Sequence, residues 1–428
     1  MKKPAEKLTP KNLFIIICLI ELFGFFVYAY MTGEEAWRWF TFKSGLDNIG
    51  TDYFRHLSFS MAGDQLYETA GNQGFFPPLS YMFYYFFYRL SAKGMAGPNW
   101  LLFDNTGTYN YVFIVYLLVS VWCIYLAVVH FMRGESAKAL FICIITSAAF
   151  LGSGLIVGNT VIVVFPLILL ALDWKNSAAK WKRELALIFI AVSAAFKIYP
   201  AIFGFLYVKE RRWGETLRLI FYGFFFFFAP FVFFGGVEGA KVMVNHIFTA
   251  MYYIELGRPQ YIRGVAVHIT TLITGDVNSY LVNRAALYSP MIFLIVMFVL
   301  TMLSRSRIRE IFFFTCAMIF FPTNAYRYSL ALLGIPLLFW IREEADRSTR
   351  ENWVTALLYA GLFGIPMLFG LCSGFGGVLE YDTLSYVEYW LYSCAYVLVL
   401  FECGIEIRDL CRRVARGNKV SDERQSEF

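Results

Sequence analysis

The sequence has few charged residues. Only 16% of its 428 residues are Asp, Glu, Lys or Arg, whereas soluble domains carry about 25%. Hydrophobic residues make up 59% of the chain, and they come in long runs such as residues 13–30 and 217–234. A helix needs about 20 mostly apolar residues to cross the hydrocarbon core of a bilayer. The low charge and the long runs exclude an ordinary soluble protein and predict an all-α, polytopic membrane protein.

Other signals are missing as well. The eight cysteines lie mostly inside the apolar runs, without the paired spacing that is typical of metal sites or disulfides. No small-x-small cleavage pattern follows Tyr30, so we interpret the first run as an uncleaved span rather than a signal peptide. The net charge of +6 does not indicate nucleic-acid binding, because the positive residues lie in short loops between apolar runs.

The distribution of Lys and Arg predicts the topology, because these residues concentrate in cytoplasmic loops. Most of the 37 lie in seven short segments: 1–11, 132–138, 175–183, 209–218, 303–309, 342–352 and 405–428. If all seven are cytoplasmic, single spans are predicted at 12–31, 110–131, 139–157, 159–174, 217–234, 288–304, 353–372 and 385–404. The stretches 184–208 and 310–341 must then be hairpins, with tips at 197–200 and 322–327. This topology has about twelve membrane segments and cytoplasmic termini.

Two long segments remain on the outer side in this topology, residues 32–109 and 235–287. Connections of this length are uncommon in compact proteins unless they carry function. We interpret residues 75–90 as an interfacial or re-entrant helix, because a full span there would invert every later loop. Residues 1–404 are thus predicted to form the transmembrane domain, and residues 405–428 a basic, polar cytoplasmic tail.

The first outer loop contains four acidic residues that are candidates for chemistry: Asp47, Asp52, Asp64 and Glu68. A carboxylate at a bilayer surface, beside aromatic side chains, is desolvated and can act as a general base. Spacing alone does not choose among the four, and each can equally be a solvated loop residue.

An ordered set of motifs resembles glycosyltransferase family 87, a group of integral membrane enzymes of the GT-C type. The resemblance spans roughly residues 50–340. It is carried by Thr-Asp-Tyr at 51–53, Asp-x-x-Tyr at 64–67, Phe-Pro-Pro-Leu at 76–79, Gly-Asn at 158–159, Ala-Ala-Phe-Lys-Ile-Tyr-Pro-Ala at 194–201 and Tyr-Ser-Leu-Ala-Leu-Leu-Gly-Ile-Pro at 328–336.

This resemblance implies a reaction and a place for it. Such enzymes transfer a sugar, here a mannose-like hexose or a pentose, from a polyprenyl-phosphate donor to a hydroxyl of a glycan or glycolipid acceptor, with inversion. The resemblance assigns the base role to Asp52. The lipid phosphate needs only positive charge to leave, so neither a metal nor a cofactor is expected. The expected location is the outer face of a cell membrane, such as a bacterial plasma membrane.

Lys197 and Arg327 are predicted to lie at the tips of the two hairpins, with roughly a dozen apolar residues on either side. A helix of that length rises about 18 Å, so the side chains cannot easily return to the cytoplasmic surface. A charge at such depth costs about 2.5–3.5 kcal/mol on insertion scales, and intramembrane ions are functional candidates for this reason. Each residue either binds the donor phosphate or belongs to a structural ion pair.

Further residues are weaker candidates for substrate binding. Asp64 could orient a substrate or cap a loop, and His56, one helical turn after Asp52, could hydrogen-bond the acid or the phosphate or be purely structural. Arg258 and Arg263 form a basic pair in the second outer loop that either binds the donor or faces solvent. Asn159 is interpreted as a helix cap or as a ligand.

Two other functions remain open from the sequence. A transporter or flippase of lipid-linked glycans would be equally hydrophobic and could use the same intramembrane cations. Many transporters have repeated halves, and we see no such repeat here. A non-catalytic membrane scaffold is the third possibility, and it would leave Lys197 and Arg327 without a purpose.

Overall fold

The structure is a computed structural model that describes residues 8–33, 49–91, 108–134, 136–252, 261–322, 327–343, 348–364 and 381–426. Over these residues the chain is helical and contains no strand. The α-helices are α1 (Pro10–Thr32), α2 (Thr51–Ser60), α3 (Leu66–Ala70), α4 (Pro78–Ser91), α5 (Thr108–Met132), α6 (Ser136–Ile145), α7 (Val161–Trp174), α8 (Lys180–Phe196), α9 (Phe205–Lys209), α10 (Trp213–Phe228), α11 (Gly236–Tyr252), α12 (Ile262–Thr274), α13 (Tyr280–Leu303), α14 (Arg307–Phe320), α15 (Gly334–Arg342), α16 (Thr349–Phe363) and α17 (Tyr381–Ser426). The all-α prediction is confirmed.

Among the described residues, five helical stretches are long and apolar enough to cross a membrane. They are Pro10–Met31, Tyr111–Met132, Trp213–Phe233, Tyr280–Leu303 and Tyr389–Ala415. They correspond to five of the predicted spans, but α13 begins at Tyr280 rather than at residue 288. Pro290 lies inside α13 without ending it, since membrane helices tolerate proline where neighbouring groups satisfy the freed carbonyl.

The prediction of about twelve membrane segments is not confirmed. The predicted span 139–157 is interrupted, because α6 ends at Ile145 and a π-helical turn follows at Phe150–Leu155. Helix α7, with 14 residues, and α16, with 15, are shorter than a span. Helix α4 also has 14 residues, which agrees with the interpretation of 75–90 as an interfacial or re-entrant helix. Part of the predicted span 353–372 lies outside the described residues.

Both predicted hairpins are interrupted near their expected tips. Helix α8 ends at Phe196, and a 3-10 helix over Tyr199–Gly204 leads into α9. Helix α14 ends at Phe320, and a second 3-10 helix over Arg327–Leu333 leads into α15. The residues of α14 and α15 are almost all buried, whereas α1, α10 and α13 each keep an exposed apolar face. Short, broken helices therefore form the interior, and long helices surround them.

The last helix extends beyond the predicted end of the transmembrane domain. Glu406 is fully buried, and it accepts hydrogen bonds from Arg309, from Arg413 Nη2 at 2.8 Å and from Ser304 Oγ at 2.9 Å. Arg309 Nη2 also bonds Asp409 at 2.9 Å. These contacts attach the start of α14 to α17, so the first part of segment 405–428 packs against the helical core.

The predicted topology can be tested with two exposed positions. Asn176 lies in a predicted cytoplasmic loop and Thr249 on α11, in the second predicted outer loop. With the exposed Cys123 and Cys411 replaced by serine, we expect Asn176→Cys to react with an impermeant maleimide only from the cytoplasmic side, and Thr249→Cys only from the outer side. Labelling of both cysteines from the same side of oriented vesicles would contradict the topology.

Candidate active site

A hydrogen bond joins the predicted base to a residue more than a hundred positions away. Asp52 lies in the first turn of α2 and is half-buried. Its Oδ2 accepts a hydrogen bond from Nδ2 of the buried Asn159 at 2.7 Å. The Asn159 Oδ1 atom in turn accepts from the backbone N–H of Val161, in the first turn of α7, at 3.0 Å. An amide has both donors and an acceptor, so Asn159 binds Asp52 and the first N–H of α7 at once, although the N-cap residue of that helix is Thr160.

Two glycines allow the segments that carry Asp52 and Asn159 to meet. Gly50 and Gly158 both have positive φ, at 72° and 70°, a conformation that glycine adopts without steric cost. The Gly50 N–H donates to Ile156 O at 2.6 Å, which docks the start of α2 on the end of the π-helical segment. A Cβ on Gly158 would lie 2.6 Å from Tyr53 Cβ. Any larger residue at 158 would push the two segments apart.

Tyrosine hydroxyls complete the hydrogen bonding at this helix break. Tyr84 Oη and Tyr116 Oη each donate to Gly158 O at 3.1 Å, and Tyr116 Oη also lies 3.2 Å from Asn159 O. Both tyrosines are buried, and Tyr53 packs against both rings. Unsatisfied carbonyls at membrane depth cost several kcal/mol each, so these hydroxyls stabilise the break and hold Asn159 in place.

Lys197 lies at the second helix break, where its backbone is extended. The side chain is only 3% exposed, and its Nζ lies 4.6 Å from the ring centre of Phe76, 4.7 Å from that of Tyr328 and 5.9 Å from that of Tyr199. It interacts electrostatically with Asp52. Within the described part of the chain, Nζ has no hydrogen bond or ion pair, so the structural ion pair that was the alternative for Lys197 is not found.

A large apolar cavity extends from Lys197. Its volume is about 750 Å³, and it runs between the 3-10 helix 199–204, α13 and α14. Most of its lining is aliphatic or aromatic, and Lys197 and Arg263 are the charged residues in it. Several of the lining residues, such as Phe205, Met291 and Ile295, are between 44% and 59% exposed on the surface of the protein. The cavity is therefore a groove that opens sideways, where the hydrocarbon of a membrane would lie.

His56 is buried among aromatic rings. It stacks on Tyr84, with ring centres 5.4 Å apart, and meets the edge of Phe76 at 4.5 Å. Helix α2, which carries His56, belongs to the predicted first outer loop and lies outside the five spans. Burial, and after it the positive charges of Lys197 and Arg55, hold the pKa of His56 well below its ordinary value. These surroundings favour a neutral, packing histidine, and a bond to the acid or to a phosphate stays a prediction.

The other candidates are more scattered. Asp64 is exposed, and its Oδ1 accepts a long hydrogen bond from the backbone N–H of Gly235 at 3.4 Å. Arg263 lines the cavity and donates from Nε to Ala286 O at 2.9 Å. Arg327 is half-buried and begins the 3-10 helix whose next two residues line the same cavity. Arg258 lies outside the described residues.

Sequence reasoning missed two groups of residues. Ser329 lines the cavity, but in the run Tyr-Ser-Leu-Ala-Leu-Leu it has the pattern of an ordinary buried helix residue. The hydroxyls of Tyr84 and Tyr116 could not be distinguished from packing, because each lies in a long aromatic run. For Ser329, Tyr84 and Tyr116, the signal in the sequence was a hydroxyl-bearing residue inside an apolar run.

The shifted pKa of His56 predicts a pH effect on stability. Below about pH 6.5 the unfolded histidine binds a proton that the native one does not, so stability should fall as the pH drops from about 7 to 5.5. We expect His56→Gln to make the melting temperature in detergent less sensitive to pH over this range. The exposed His268 is the control, and His268→Gln should keep the wild-type dependence. An unchanged dependence in His56→Gln would contradict the assignment.

Comparison with known proteins adds one finding. Residues 76–333 match the glycosyltransferase family 87 model, a segment that includes Asn159, Lys197 and Arg263. No curated protein and no solved structure matches the chain. Asp52 lies before the matched segment, and its hydrogen bond to Asn159 attaches it to that segment. Because the match covers more than half of the chain, the protein belongs to glycosyltransferase family 87 and is a membrane glycosyltransferase.

Proposed function

We propose that this glycosyltransferase takes its sugar from a polyprenyl-phosphate donor and transfers it, with inversion, to a hydroxyl of a glycan or glycolipid on the outer face of the membrane. The sugar is a mannose-like hexose or a pentose. Asp52 is the general base, and Lys197 binds the donor phosphate. No metal or cofactor has a role in this reaction as proposed.

The observation that carries the proposal is the environment of Lys197. A buried ammonium group is expensive unless it is paired, and here aromatic rings surround it while the described residues offer it no anion within ion-pairing distance. Cation–π contacts compensate only part of the lost hydration. An anion from outside the protein would complete the site, and a phosphate gives a lysine a strong, charge-assisted hydrogen bond.

The groove next to Lys197 supports a lipid as the carrier of that phosphate. Its apolar lining and its lateral opening suit a prenyl chain lying in the hydrocarbon of the bilayer. A nucleotide sugar would place a polar base and ribose against the same apolar wall, at a cost for each polar group left without a hydrogen bond. With the chain in the groove and the phosphate at Lys197, the sugar would lie toward Asp52.

The proposed step needs one proton transfer and one displacement. Asp52 takes the proton of the acceptor hydroxyl, and the acceptor oxygen attacks the anomeric carbon on the face opposite the phosphate. The bond between the anomeric carbon and the phosphate oxygen breaks, and its electron pair stays on the phosphate, whose added charge Lys197 stabilises. Asn159 holds Oδ2 of Asp52, which leaves Oδ1 to meet the acceptor.

Replacement of the base should remove transfer but not folding. We expect Asp52→Asn to lower kcat about 10²–10⁴-fold, the usual contribution of a positioned acid–base group, with a nearly unchanged melting temperature. The assay is transfer of label from a panel of radiolabelled polyprenyl-phosphate sugars. Asp64→Asn is the matched control, because Asp64 lies in the same outer loop but is exposed. If Asp64→Asn is the inactive variant instead, the base has been assigned to the wrong acid.

Removal of the Lys197 charge should affect the donor and not the fold. We expect Lys197→Met to raise the donor KM roughly ten- to a hundredfold, since a charge-assisted hydrogen bond contributes about 1.5–3 kcal/mol. Stability should hold or rise, because a costly buried charge is gone. Donor KM and melting temperature are measured on the same preparation.

Lys175 offers a matched control for this variant. It is also buried, at 4% exposed, but it is paired with Glu210. Lys175→Met should lower the melting temperature modestly, because its ion pair is lost while Glu210 keeps Arg212 at 3.2 Å, and it should leave the donor KM unchanged. A Lys197→Met protein that behaves like Lys175→Met, less stable and with wild-type donor KM, would rule out the phosphate role.

A further inference from the structure

Two hydroxyl groups beside Lys197 are buried and poorly satisfied by the protein. Neither Ser329 Oγ nor Tyr199 Oη has a hydrogen bond of normal geometry within the described residues, although the two hydroxyls interact with each other, and Ser329 is only 1% exposed. Native proteins satisfy the great majority of buried polar atoms, and each exception calls for an explanation. Both residues line the cavity that includes Lys197. These two unsatisfied hydroxyls therefore lie at the site proposed for the donor.

These hydroxyls come from two different helix breaks. Tyr199 begins the 3-10 helix that follows Lys197, and Ser329 lies in the 3-10 helix that begins at Arg327. The two side chains are neighbours. The rings of Tyr199 and Tyr328, the residue before Ser329, both face the Lys197 ammonium. One cation and two hydroxyl groups thus lie close together in the lining of the cavity.

This set of donors is complementary to a phosphate group. A phosphate in ester linkage to a lipid presents several acceptor oxygens around one negative charge, and hydrogen bonds to charged acceptors are stronger than those between neutral groups. Apart from Arg263, the rest of the cavity lining is apolar, and the other polar groups of a donor, the hydroxyls of the sugar, would point toward Asp52.

We propose that the Ser329 and Tyr199 hydroxyls bind the donor phosphate together with Lys197. This inference rests on the proposed function, and it adds two residues to the phosphate site. As the bond from the anomeric carbon breaks, negative charge grows on the phosphate that leaves. Donors already in place around that charge stabilise it more in the transition state than in the bound donor. Both hydroxyls should therefore contribute to kcat as well as to donor affinity.

The structure supplies a matched control for each hydroxyl. Ser193 Oγ and Tyr207 Oη are also buried without a hydrogen-bond partner in the described residues, but neither residue lines the cavity. Ser329→Ala can be compared with Ser193→Ala, and Tyr199→Phe with Tyr207→Phe. Each pair removes the same atom from a buried side chain, so the general cost of losing a buried hydroxyl is common to both members.

The experiment measures the affinity of the purified protein for three probes: a polyprenyl phosphate, the same polyprenol without phosphate, and inorganic phosphate. We expect Ser329→Ala and Tyr199→Phe each to weaken polyprenyl-phosphate binding about tenfold or more relative to its control. Binding of the polyprenol should be unchanged, because the groove is intact. Inorganic phosphate should bind far more weakly than the lipid, which would identify the lipid as the source of the phosphate.

Three results would overturn the inference, in different ways. If both variants bind polyprenyl phosphate like their controls while Lys197→Met binds poorly, the hydroxyls are not ligands and the proposed function stands. If Lys197→Met also binds normally, the phosphate site itself is wrong. If polyprenol binding falls as much as polyprenyl-phosphate binding, the substitutions have altered the shape of the groove. Because each hydroxyl is tested separately, a variant that fails to fold leaves the other to decide.

Discussion

Backbone groups inside an apolar core must be satisfied by the protein itself, and this constraint governs the architecture of the site. Irregular backbone at membrane depth is tolerated only where it is buried in protein or lines a cavity. In the described part of the chain, Tyr84 and Tyr116 satisfy Gly158 O, and Ser80 Oγ donates to Phe196 O at 2.6 Å. The breaks at 158 and 197 are therefore stable because α4 and α5 lie beside them.

The same arrangement places a carboxylate at one helix break and a lysine at the other. Asp52 is held by Asn159 at one break, and Lys197 is held by aromatic rings at the other. The rings exclude water and offer the lysine only cation–π contacts, so a bound phosphate would supply the anion that the described residues do not place within ion-pairing distance. Electrostatic interactions are stronger in such a site than in water. This separation of a carboxylate from a cation suits a transfer in which one group takes a proton and the other receives a leaving anion.

Much of this could be predicted from the sequence, and the reasons for success and failure are physical. Lys197 was a candidate because a lysine deep in an apolar run has few harmless explanations. The number of membrane segments is not confirmed, because apolar runs such as 139–157 were counted as spans although α6 ends at Ile145. Hydropathy reports burial in any apolar surroundings and does not separate a spanning helix from a short helix packed inside the protein.

The sequence by itself determined the all-α membrane class, the family, and the positions of the two breaks near Lys197 and Arg327. Only the tertiary structure decided that Asn159 bonds Asp52, that no carboxylate pairs with Lys197 among the described residues, and that Ser329 joins Tyr199 in the same cavity. Hydropathy and charge patterns act over a single helix and are visible in a local window. The site combines residues far apart in the chain, and only packing of the helices determines which of them meet.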